Sequence, residues 1–124
     1  MSNKKSWAAW FEIPVTDFDR AQQFYETVFD TQLEVNDFGP IKMGVFPHTD
    51  VGCAICKNDE FYQPSSSGTI IYMDANPDLQ VALDKIEDAG GKIIMGKKQI
   101  SPDHGFMAVF IDSEGNRLAL HSMG

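Results

Sequence analysis

Glu12 and His121 are the residues of this 124-residue chain whose types and settings could do chemistry. Glu12 lies in WFEIPV, Trp10 to Val15, where Phe11, Ile13 and Val15 share one face of an alternating strand and Trp10, Glu12 and Pro14 share the other. A solvated face would not choose tryptophan and a core face would not choose glutamate, so the second face is expected to look into a sheltered trough. A carboxylate there can be a general base, a counter-ion for a cationic ligand, or half of an internal ion pair with Arg117 that does no chemistry. Near the other end, Arg117, Ala119 and His121 share one face of RLALHS. His121 reads either as a hydrogen-bonded strand histidine or as an acid/base group beside Glu12. Trp10 could stack on a flat or cationic ligand, or fill space in the trough.

The elements that must position these residues follow the same order twice. After the first strand, Thr16 or Asp17 can cap a helix reaching about Asp30, with Phe18, Ala21, Tyr25, Val28 and Phe29 on its apolar side. Strand-like runs follow at about Gln32 to Asn36, Ile41 to Phe46 and Val51 to Cys56. KNDEFYQPSSSG, Lys57 to Gly68, reads as a linker, and Tyr62 within it could close over the trough mouth. A second strand, Thr69 to Met73, leads to Asn76-Pro77, a cap and first-turn proline for a helix carrying Leu79, Ala82, Leu83, Ile86 and Ala89 and ended by Gly90-Gly91. Strands at about Lys92 to Met95, Phe106 to Ile111 and Arg117 to His121 complete the second half, the last two joined by the turn DSEGN. The helix positions Phe18, Ala21, Tyr25 and Val28 recur 61 residues later as Leu79, Ala82, Ile86 and Ala89. The chain is therefore expected to be one α+β domain over 1–124, with βαβββ modules at about 8–57 and 68–123 and a linker at about 57–68. In such a module the helix covers one face of a four-stranded antiparallel sheet and leaves the other concave.

Charge and composition narrow the function. Ten Lys+Arg against 18 Asp+Glu give a formal net charge of −8, which repels a phosphate backbone and an anionic membrane surface. Neither nucleic acid nor a membrane is expected as a partner, and with no signal-like or membrane-length apolar run the expected location is cytoplasmic. Cys53 and Cys56 form a CxxC inside a strand-like run, where residues three apart point to opposite faces and cannot bridge, so two reduced thiols are expected. No nucleophile elbow, phosphate-cradling glycine loop or dinucleotide fingerprint is present, and no cofactor is expected. Met43 and Met107 read as core filling.

The stretch WFEIPVTDFDRAQQFYETVF, followed later by IDSEGNRLALHS, resembles the vicinal oxygen chelate superfamily, the glyoxalase, bleomycin-resistance and extradiol-dioxygenase group, and looks closest to small bacterial glyoxalase-like proteins. The likeness runs from Trp10 to His121. It implies paired βαβββ modules forming a curved, mostly antiparallel sheet, a homodimer, and a cavity that takes a small organic molecule. In metal-dependent members four strands each offer one ligand to a divalent ion. Matching the motifs puts those positions at Trp10, Ala54, Thr69 and Ala119, where indole, methyl and hydroxyl groups make poor ligands. The resemblance thus implies a binding protein or divergent enzyme without the family metal, with Trp10, Glu12, Arg117 and His121 lining the site and Ala54, Thr69 and Ala119 giving it room; Glu12 and His121 are its catalytic candidates. The alternative is a metal-dependent lyase, isomerase or dioxygenase whose metal has moved to Glu12 and His121.

Overall fold

The computed structural model describes residues 4–124. The first module runs β1 (Trp10–Pro14), α1 (Phe18–Val28), β2 (Glu34–Asp37), β3 (Lys42–Val45) and β4 (Gly52–Lys57). The second runs β5 (Tyr72–Asp74), α2 (Gln80–Ile86), β6 (Lys92–Ser101), β7 (Gly105–Ile111) and β8 (Arg117–Ser122). Each module forms its own four-stranded sheet, in the orders β1–β4–β3–β2 and β5–β8–β7–β6. Three strands of each are antiparallel neighbours, while the first strand joins the last of its module in parallel, which gives the mostly antiparallel arrangement expected from the sequence. The strands β1 and β5 are thereby left as sheet edges. No helix among the described residues is long and apolar enough to cross a membrane.

Asp17 caps α1, its carboxylate accepting the Arg20 N–H at 3.1 Å, as the sequence led one to expect. The helix buries Phe18, Ala21, Phe24, Tyr25 and Val28. The second helix begins later than Asn76-Pro77, whose peptide is cis. The free N–H groups before it are met otherwise: Leu79 donates to Ser122 Oγ at 2.9 Å and Gln80 to Asp78 Oδ1 at 2.9 Å. The strand β6 reaches Ser101 rather than Met95, carried past its expected end by register shifts against β7.

One core serves both modules. Ile13, Phe24 and Tyr25 from the first pack with Leu79, Ile86, Phe110 and Leu120 from the second, and Phe24 stacks on Phe110 at 6.2 Å. Gly91 permits this closeness, since a Cβ there would lie 2.6 Å from the Ile111 carbonyl oxygen and 2.7 Å from the Phe24 ring.

The turn between β7 and β8 is the polar seam of this junction. Asp112 Oδ2 accepts from the buried Tyr25 hydroxyl at 2.6 Å, while Oδ1 ties the turn by accepting from the N–H groups of Glu114 and Asn116. Burial first, then the adjacent Asp112, pushes the Tyr25 phenol well above its ordinary value. Glu114 reaches back to the start of α1 and receives Arg20 Nε at 2.7 Å, the Asp17 N–H at 2.8 Å and the Thr16 N–H at 3.0 Å.

Candidate functional site

The face of β1 carrying Trp10, Glu12 and Pro14 is the one the site candidates share, and the parallel register sets them beside Gly52, Ala54 and Cys56 of β4. Glu12 is the centre of a small polar cluster. Its Oε1 accepts the Tyr62 hydroxyl at 2.6 Å and its Oε2 accepts Trp10 Nε1 at 3.2 Å. Tyr62 reaches it across the linker, fifty positions away in sequence. The hydrogen bond to Glu12, reinforced by burial, raises the Tyr62 phenol above its ordinary value. Beneath them Cys56 is fully buried, and burial pushes its thiol up to about 12, with the nearby Glu12 charge acting in the same direction. Cys53 points to the opposite face and joins the core, so the two thiols are free and unbridged.

Trp10 is held from its other side by His48, whose ring meets the indole edge-on at 5.6 Å. His48 can lie there because position 52 is glycine: a Cβ at Gly52 would sit 2.6 Å from the imidazole. The His48 Nδ1 lies 2.8 Å from the Phe46 carbonyl oxygen.

Two cavities flank the segment 69–71. A cleft of about 210 Å³ has Glu12, Gln63, Ser67, Thr69 and Arg117 among its walls. Asn116 shapes its floor, accepting the Ser65 N–H at 3.0 Å and donating to the Pro14 carbonyl at 2.7 Å, so that linker, β1 and β8 are tied at one point. Arg117 donates through Nη2 to the Gly68 carbonyl at 2.6 Å, and its buried Nε has no partner. Such an orphaned donor costs about 1–3 kcal/mol, which marks the guanidinium as under-supplied with acceptors. The second cavity, about 790 Å³, lies between the β1 and β5 edges and is lined chiefly by apolar groups such as Phe11, Phe29, Phe46, Ile71 and Met73, with His48 and Asp74 adding polarity.

The candidates therefore divide. Glu12, Thr69 and Arg117 share the small cleft, and Trp10 joins them through Glu12. The direct contact of Glu12 with Arg117 or His121 that the sequence suggested is not formed; the Glu12 partners are Tyr62 and Trp10 because β1 and β8 belong to different sheets. His121 lies some 13 Å along β8 from Arg117, with Nε2 at 2.7 Å from the His104 carbonyl oxygen. Ala54 and Ala119 are fully buried, and neither is among the residues lining the two cavities. Sequence reasoning missed Asn116, His48 and the role of Gly52. A glycine beside a tryptophan register was the one local signal for the last two.

The donor chemistry at the four positions that the sequence resemblance matched to metal ligands does not fit a divalent metal. Trp10 offers only an N–H, already given to Glu12, Ala54 and Ala119 offer methyls, and Thr69 a neutral hydroxyl. Nor does any group of three or more His, Cys, Asp or Glu side chains converge as a metal site among the described residues.

The model of the glyoxalase/bleomycin resistance protein/dioxygenase superfamily matches residues 7–120. A search of curated proteins finds no match. Among solved structures, a glyoxalase/bleomycin resistance protein from Albidiferax ferrireducens T118 superposes with a TM-score of 0.75 at 14% identity, covering 93% of this chain and 97% of that one. A glyoxalase/bleomycin resistance protein from Streptomyces sp. CB03234 gives 0.72 at 19% identity over 93% and 99% of the two chains. A hypothetical protein from S. aureus gives 0.71 at 19% over 96% and 95%. At these identities the structures establish the fold, and the match along nearly the whole sequence establishes the family: the chain belongs to the glyoxalase/bleomycin resistance protein/dioxygenase superfamily.

Proposed function

We propose that this protein binds a small organic molecule in the cleft beside Glu12, without the family metal, and that Glu12 serves as counter-ion to a cationic group of that ligand. The observation that carries the reading is a carboxylate held by two neutral donors, Tyr62 and Trp10, with no cationic side chain on it. An ionised carboxylate offers about four lone-pair positions and two are taken, which leaves room for an ammonium. The net charge of −8 draws cations toward the protein. Trp10 and Tyr62 add ring faces that attract cations.

The homodimer belongs to the same proposal. Strands β1 and β5 each leave one side without a strand partner among the described residues, and Trp10 on β1 and Tyr72 on β5 stand exposed, a combination that a second copy would cover. Two free buried thiols suit a reducing, cytoplasmic setting.

A thermal-shift screen of small amines on chelator-treated protein tests the reading. A ligand at a hundredfold excess over Kd stabilises by about 2.7 kcal/mol, and Glu12→Gln should erase that shift for cations while sparing neutral ligands. Stabilisation that requires added nickel, zinc, manganese or iron(II) would instead support the relocated-metal alternative.

A further inference from the structure

We propose that the small cleft is built for a zwitterion: a molecule with an ammonium and a carboxylate a few bonds apart, as in an α-amino acid, the ammonium on Glu12 and the carboxylate on Arg117. The inference rests on the counter-ion reading of Glu12 and adds the opposite end of the ligand.

Glu12 and Arg117 line the same cleft, yet neither neutralises the other. The ion pairs among the described residues are Arg20 with Glu114, Lys57 with Asp59 and Lys97 with Asp78. Two opposite charges therefore line one open cleft, each without an ionic partner among the described residues. Each also has hydrogen-bonding capacity to spare: Glu12 through the lone pairs left by Tyr62 and Trp10, Arg117 through the terminal guanidinium N–H groups beyond the one that Nη2 gives to the Gly68 carbonyl. The hydroxyls of Ser67 and Thr69 on the intervening wall can donate or accept along the body of such a molecule.

Size and charge select the class. A volume of about 210 Å³ equals ~7 water molecules of liquid, below the range of drug-sized pockets and suited to a small amino acid. A simple anion on Arg117 would have to approach a protein of net charge −8, whereas a zwitterion carries no net charge. A simple amine would leave the guanidinium as it stands.

The test is a set of titrations by isothermal calorimetry and ¹H–¹⁵N correlation spectra using L-alanine and L-serine, with alaninamide as the amine lacking a carboxylate and propionate as the acid lacking an amine. The zwitterions should bind at least tenfold tighter than either matched analogue. Arg117→Gln should remove the preference over alaninamide, and Arg117→Lys, which keeps the charge, should keep part of it, while alaninamide binding persists in both. Glu12→Gln should weaken both. Alaninamide binding as tightly as alanine to the unmodified protein would overturn the inference and leave the counter-ion reading standing. If neither zwitterion binds, the inference falls, and if alaninamide fails to bind as well, the counter-ion reading falls with it. The ligand comparison on unmodified protein decides the matter even if an Arg117 variant does not fold.

Discussion

Glu114→Gln should loosen the joint between the modules, and the structure allows its size to be worked out. The Glu114 side chain has no exposed surface, and it accepts Arg20 Nε and Nη2, the N–H groups of Thr16 and Asp17, and the hydroxyls of Thr16 and Ser113. Burial alone would raise its carboxyl, but the Arg20 guanidinium and the other donors outweigh burial and hold it at about 2, against 4.5 when free. At 1.36 kcal/mol for each pH step that difference corresponds to ~3 kcal/mol; the guanidinium is half exposed and screened by solvent, so about 2 kcal/mol is the usable figure. The sign follows from the direction. A lowered folded-state value stabilises fully above pH 4.5, and the contribution is lost as the pH falls toward 2. Urea denaturation of the wild type and Glu114→Gln at pH 7 should therefore differ by about 2 kcal/mol, or ~8 °C in melting temperature, and the gap should close as the pH is taken from 5 to 2.5. A gap that is absent at pH 7, or unchanged at pH 2.5, would refute the reasoning.

Three further outcomes are expected. Tyr25→Phe removes one of two side-chain donors to the buried Asp112 Oδ2 and should cost about 1–3 kcal/mol in urea titrations, with ligand binding at the Glu12 cleft unchanged. Gly91→Ala forces a methyl against the Ile111 carbonyl and the Phe24 ring and should cost roughly 3 kcal/mol, whereas Gly90→Ala should act only through its left-handed backbone, φ 107°, by about 1 kcal/mol. The thiols of Cys53 and Cys56, pushed up to about 12 by burial, should resist iodoacetamide at pH 8 in the folded protein and react only on unfolding, which mass spectrometry reads directly.

How far the sequence reached depends on the range of the forces involved. The alternation of WFEIPV placed Ile13 and Val15 in the core and Trp10 and Glu12 on the other face, and the spacing Phe18, Ala21, Tyr25, Val28 gave the buried stripe of α1, because period and burial are local properties. Asp17 as cap was legible for the same reason. The start of α2 was not, since Ser122, forty-three positions away from Leu79, supplies a partner that frees the chain from the usual proline-led first turn. The parallel pairing of β1 with β4 was hidden because alternation reveals faces and not neighbours. At the site, the types of Glu12 and Arg117 announced themselves. Their bonds did not: Tyr62 was singled out only for its place in the linker, and neither its bond to Glu12 nor that of Arg117 to the Gly68 carbonyl follows from a local pattern.

The measurement that bears most directly on the account is the affinity of chelator-treated protein for a small organic ammonium ligand, compared between the wild type and Glu12→Gln. The account predicts saturable binding to the metal-free wild type, unchanged by added divalent metal, and weakened at least tenfold by the substitution. Equal affinity in the two proteins, or binding that begins only when metal is restored, would contradict it.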